Sequence, residues 1–110
     1  MVDKLTGQIF TGLVRIHILY HAAQQPICGV EIKEELARHG YSISPGTLYP
    51  ILHSFEEQGY LDCERRVSKG KVRKYYRITE KGSLVLVKVK VKLRELVEEV
   101  LTDDPSQDHS

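Results

Sequence analysis

The sequence predicts a mainly α fold carrying a small β-hairpin, in a chain of 110 residues that suits one small domain. Apolar residues recur at helical spacing along most of its length. Glycine, proline and hydroxyl residues stand where helices should begin and end. From Leu61 to Ile78 the apolar period drops to two, around a Ser-Lys-Gly-Lys turn.

A first helix is expected from Lys4 to Ala23, because Leu5, Ile9, Leu13, Ile16 and Tyr20 follow steps of three and four. Gly7 and Gly12 weaken it, by about 1 kcal/mol each against alanine, and Pro26 marks its end. A second helix, Gly29 to His39, turns Ile32 and Leu36 inward. Arg38 and His39 suit the negative end of its dipole, and Gly40 supplies a left-handed stop.

The third helix opens with Ser44-Pro45-Gly46 and holds a second proline, Pro50. Ser44 is expected to cap it by accepting a backbone N–H. Pro45 then falls at the first helical position, where its missing N–H costs nothing. Pro50 removes the bond to the Gly46 carbonyl and crowds it, so a slight opening of the first turns is expected. Leu48, Ile51, Leu52 and Phe55 form the buried face. Gly46, Tyr49, Pro50, His53 and Glu57 form the opposite face, and Gly59 ends the helix. Two helices joined by Tyr41–Ile43 read as a helix-turn-helix. A face of small residues and tyrosine at the start of the second fits entry into a DNA major groove.

After Gly59, Leu61, Cys63 and Val67 alternate with charges, and Tyr76 and Ile78 alternate again beyond the turn. A helix-turn-helix followed by a basic hairpin is the layout of a winged helix, with Lys69, Lys71 and Arg73 on the wing. Tyr75 and Tyr76 are expected to pack in the hairpin rather than stack on bases.

Val85 to Arg94 alternates like a strand. Placed on a helix at about 100° per residue, however, Val85, Leu86, Val89, Leu93, Leu96, Val97 and Val100 share one stripe. A helix from Glu80 to Leu101, capped by Thr79, is therefore expected. Leu84, Val87 and Val91 make a second apolar face, which implies a partner helix from a second copy of the chain. The winged-helix domain thus spans residues 4–79, the C-terminal dimerisation helix 80–101, and a polar, acidic, disordered tail 102–110.

The formal net charge is only +1, but residues 64–94 hold 12 of the 16 lysines and arginines and, as acids, only Glu64 and Glu80. That asymmetry points to a polyanionic partner. No run is apolar enough to span a bilayer and no signal-peptide pattern opens the chain, so a cytoplasmic location is expected. Cys28 and Cys63 form neither a C-x-x-C nor a zinc spacing and read as reduced thiols. His17 and His21 stand four apart, as two metal ligands on a helix would, but no Cys, Asp or Glu near them in sequence completes a set. No metal, cofactor or catalytic group is expected.

The run ISPGTLYPIL, then EEQGYL, then RKYYRITEKG resembles the PadR family of transcriptional regulators, and ICGVEIKEEL resembles that family's second helix. The resemblance spans roughly Gly7 to Gly82. It implies a dimeric winged-helix protein that binds double-stranded DNA, usually as a repressor, sometimes released by a small-molecule effector. On it, Ser44, Gly46, Thr47, Tyr49 and His53 would be recognition-helix residues, and Lys69, Lys71, Arg73 and Lys74 wing residues. The single last helix suggests the small subfamily, which dimerises through its first and last helices. Leu13, Leu86, Val87, Val89, Val91, Leu93, Leu96 and Val100 are the expected contacts. Val30 stands where the family usually has tyrosine, and the wing lacks the paired prolines often seen before R-K-Y-Y. The chain has no tryptophan, so an aromatic drug-stacking pocket is not expected. The alternative function is a winged helix that docks another protein without specific DNA binding.

Overall fold

The computed structural model describes residues 3–102. Four helices and a three-stranded sheet follow one another as α1 (Lys4–Gln24), β1 (Ile27–Cys28), α2 (Gly29–Arg38), α3 (Pro45–Glu57), β2 (Leu61–Ser68), β3 (Lys71–Ile78) and α4 (Glu80–Val100). The tail expected to be disordered lies, from residue 103 on, outside the described residues. No described helix is long and apolar enough to cross a membrane.

The core is built where α1, α2 and α3 meet the sheet. Ile18, Ile32, Leu36 and Leu52 are completely buried, and Leu48, Leu61 and Tyr76 nearly so. Each such aliphatic side chain contributes about 1.5–3 kcal/mol by leaving water. α3 buries Leu48, Ile51, Leu52 and Phe55, the face expected from its period. α1 differs. Its core residues are Val14, Ile18, Leu19 and Ala22. The stripe that signals the helix in the sequence lies beside this face. Leu5, Ile9 and Tyr20 are exposed, and Leu13 and Ile16 only half-buried.

The sheet is antiparallel, in the order β1-β3-β2. β2 and β3 form the expected hairpin, with Ser68 opposite Lys71. Its two-residue turn places Lys69 at φ 53° and Gly70 at φ 77°, the left-handed pair that matches the twist of the strands. β1 was not legible in the sequence. Ile27 and Cys28 pair with Tyr76 and Tyr75, which stitches the link between α1 and α2 to the root of the wing.

The alternating segment Val85–Arg94 is helical throughout. Thr79 caps α4 by accepting the Gly82 N–H at 3.0 Å, and its hydroxyl donates to the Gly59 carbonyl at 2.5 Å. Beyond this anchored start only Leu86 is buried, at 5% exposure. Leu86 therefore belongs to the subunit's own core and is not free for a dimer contact. Val85, Val89 and Leu93 are half-buried, while Leu84, Val87, Val91, Leu96, Val97 and Val100 are exposed. The molecule measures 60 × 34 × 21 Å with a radius of gyration of 16.3 Å. A compact domain of this length would have about 13 Å, so α4 reaches away from the core with much of its apolar surface uncovered.

Candidate nucleic-acid interface

The first turn of α3 is set by its own sequence. Ser44 stands at the N-cap with extended backbone, and Pro45 follows at the first helical position. The Ser44 carbonyl accepts the N–H groups of Thr47 at 3.0 Å and Leu48 at 2.9 Å. Its hydroxyl takes no backbone N–H but donates to the Thr47 hydroxyl at 3.2 Å. That corrects the expected cap: the Thr47 N–H is already satisfied by the Ser44 carbonyl, which leaves the two hydroxyls to pair. Despite Pro50, the helix runs unbroken to Glu57.

All five residues of the outer face, Gly46, Tyr49, Pro50, His53 and Glu57, are exposed, as are Ser44 and Thr47. Tyr49 is held rather than loose. Its ring lies across the backbone at the start of α2, so close that a Cβ on Gly29 would stand 2.5 Å from Oη and 2.8 Å from Cε1. Only glycine fits under the ring there.

Lys69 and Lys71 project at the tip of the wing and are exposed, whereas Arg73 and Lys74 sit nearer its root and are half-buried. Lys74 departs from the expected set of free wing cations. Its Nζ lies 3.6 Å from Glu56 Oε1 on α3 and 5.7 Å from the centre of the Tyr76 ring. Burial pulls the Lys74 pKa down, but Tyr76, Cys63 and Glu56 together outweigh it and hold the ammonium above its ordinary range. Lys74 is charged, and much of its charge is answered within the protein. Arg66, on the neighbouring strand, lies 4.9 Å over the Tyr75 ring and 3.2 Å from Glu64.

Tyr49 and His53 of α3 and Arg73 and Lys74 of the wing border one groove of about 260 Å³. Ser44 and Thr47 lie on a different cleft, against Phe10 and Tyr41. The structure thus joins the later recognition-helix residues to the wing root and leaves the first two apart. Gly29, Val30 and Val72 also line the groove, and sequence reasoning did not place them there. Val30 was legible only as a departure from a motif. Its place in the groove follows from β1 pairing with β3.

A second cluster lies on the other side of α2. His17 and His21 of α1 are joined by His39, the residue that ends α2, and one ligating atom from each lies within 4.8 Å of the others. The His17 and His39 rings stack at 4.8 Å. Burial first, then the neighbouring His39 and His21, hold the His17 pKa below its ordinary value. His39 is 18 positions beyond His21, and no local signal in the sequence links them.

The fold is shared with relatives of known kind. Residues 18–88 match the transcriptional regulator PadR-like family. Transcriptional regulator Rv3488 of Mycobacterium tuberculosis is 49% identical over 88 residues, which cover 80% of this chain and 82% of that one. Transcriptional activator GvpE of Haloferax mediterranei is 35% identical over 73 residues, 66% of this chain and 36% of that one. The crystal structure of a PadR-like transcriptional regulator from Bacillus cereus superposes with a TM-score of 0.76 at 28% identity, covering 94% of this chain and 99% of that one. A family match over most of the chain, a close relative and a shared architecture converge. The chain belongs to the PadR-like family of DNA-binding transcriptional regulators and is not an enzyme.

Proposed function

We propose that the chain acts as a homodimeric repressor on a roughly palindromic promoter site. The observation that carries this reading is the groove shared by Tyr49, His53 and Arg73, beside a wing whose tip holds Lys69 and Lys71. Wing cations neutralise phosphates and supply most of the affinity, which makes it steeply salt-dependent. Ser44, Gly46, Thr47, Tyr49 and His53 supply positioning and base readout. The exposed apolar residues Val87, Val91, Leu96 and Val100 of α4, with the half-buried Val89 and Leu93 and with Leu13 of α1, meet those of a second copy. Two α3 helices then enter successive major grooves about 34 Å apart.

The test is titration of the protein with fragments of its own upstream region, at low and moderate salt, against unrelated competitor DNA. Competitor-resistant binding is expected. Lys71→Ala should weaken binding to all sequences alike and lower the salt slope by about 1. Tyr49→Ala should also change which sites are preferred. If neither substitution alters binding, the residue assignments fail. The position of the bound site relative to the promoter separates repression from activation, the role that GvpE carries in its name.

A second reading is a winged helix that docks another protein. Val67 and Val72, paired across the wing at 75% and 64% exposure, favour it. It moves to first place if DNA binding vanishes with salt or competitor.

A further inference from the structure

We infer that His17, His21 and His39 form a binding site for a borderline divalent transition-metal ion such as Zn²⁺. The i, i+4 spacing on α1 sets the His17 and His21 rings nearly parallel, at 14° and 6.1 Å. His39 closes the set from the end of α2, 4.8 Å from His17 and 6.3 Å from His21, ring to ring. His21 Nε2 is buried and has no hydrogen-bond partner among the described residues. Among the described residues the carboxylate oxygen paired with it, Glu35 Oε1, is 4.0 Å away, beyond hydrogen-bond range. A buried ring nitrogen without a partner is costly. An ion shared by three imidazoles satisfies it.

The geometry is close to what the ion needs. Zn–N bonds of about 2.0–2.1 Å put tetrahedral ligand atoms about 3.3 Å apart, and here all three lie within 4.8 Å. His39 is exposed, so a rotation of its side chain closes the gap without moving the core. An all-imidazole set suits Zn, Co, Ni or Cu rather than Mg or Ca. Glu35, which Arg38 already holds at 3.1 Å, stands beside the set, and the fourth position is left to water or a small ligand.

The ion bridges α1, part of the proposed dimer face, and α2, the first helix of the helix-turn-helix. Its occupancy therefore fixes the angle between the dimer contact and the DNA-reading unit. The site stands independently of the DNA reading; this coupling rests on it.

Untagged full-length protein is titrated with Zn²⁺ by calorimetry and with Co²⁺ by visible absorption. One ion per chain is expected, with an imidazole-type Co²⁺ spectrum and a rise in Tm. His39→Ala should fold normally, by circular dichroism, because its side chain is exposed. It should lose more than tenfold in affinity, since even outer partners of a metal cost about 10–100-fold. No binding, or binding unchanged in His39→Ala and His17→Ala, would overturn the site. DNA affinity at fixed salt is then compared with and without Zn²⁺. A change in the wild type that is absent in His39→Ala supports the coupling, and equal affinities overturn it. Loss of specific DNA binding in both states, with Zn²⁺ still bound, counts against the proposed function and the coupling, not against the site.

Discussion

Tyr49 lies over Gly29 so closely that a side chain there would displace its ring, and this makes Gly29 a silent member of the proposed interface. Gly29→Ala forces the ring away from α2. The expected outcome is a fall in DNA affinity similar to that of Tyr49→Ala with little change in stability, because the atoms in the way belong to the free end of an exposed side chain. Denaturant unfolding beside DNA titration checks both. Cys63 illustrates a different control. Burial raises its thiol pKa; Glu56 and Glu64 add to this, while Lys74 and Arg65 oppose it. Because only the thiolate reacts, alkylation of Cys63 should be slower near neutrality than that of a free cysteine. It should accelerate only above the ordinary thiol range. A rate at pH 7 that matches free cysteine would show that the side chain is not shielded.

Among the elements, α4 depends most on its first turn. Thr79 caps it and also donates to Gly59, and Lys81 Nζ donates to the Gln58 carbonyl at 2.8 Å. Gly82 packs against the Tyr60 carbonyl too closely for any side chain. These contacts tie the last helix to the loop between α3 and β2, so its direction is set before its apolar faces find a partner. Thr79→Ala removes the cap and leaves the Gly59 carbonyl unmatched. It should cost about 1–2 kcal/mol, read as a lower midpoint of denaturation with an unchanged slope. A shift of slope instead would mean that α4 had frayed in the native state.

At the scale of the molecule, one copy leaves an apolar helix uncovered while its basic residues concentrate on the wing and α4. A surface helix with two apolar faces is unfavourable alone, and a second copy offers the same faces by symmetry. Leu96 is 55% exposed in the single chain. On the proposed dimer, Leu96→Glu should leave the subunit folded yet halve the mass seen by light scattering, and DNA affinity should drop with it. A variant that keeps the wild-type mass would place the contact elsewhere on α1 or α4.

By itself the sequence determined the local events. Prolines, glycines and hydroxyls bounded the helices, the change of period announced the hairpin, and the full turn of angles separated helix from strand at Val85–Arg94. The exposed face of α3 was legible because helical period alone decides which residues oppose Leu48, Ile51 and Leu52. Tertiary structure decided what depends on residues far apart in the chain. Which face of α1 is buried depends on where the sheet and α4 lie, so the most regular stripe, Leu5 to Tyr20, was left at the edge of the core, with Leu13 and Ile16 half-buried and the rest exposed. β1 is two residues long and exists only because β3 offers an edge to pair with. That pairing brings Gly29 and Val30 to Tyr49 and the wing. The packing of α2 on α1 brings His39 to His17 and His21. Local sequence carries propensity, but the meeting of distant side chains is fixed only when the chain closes on itself.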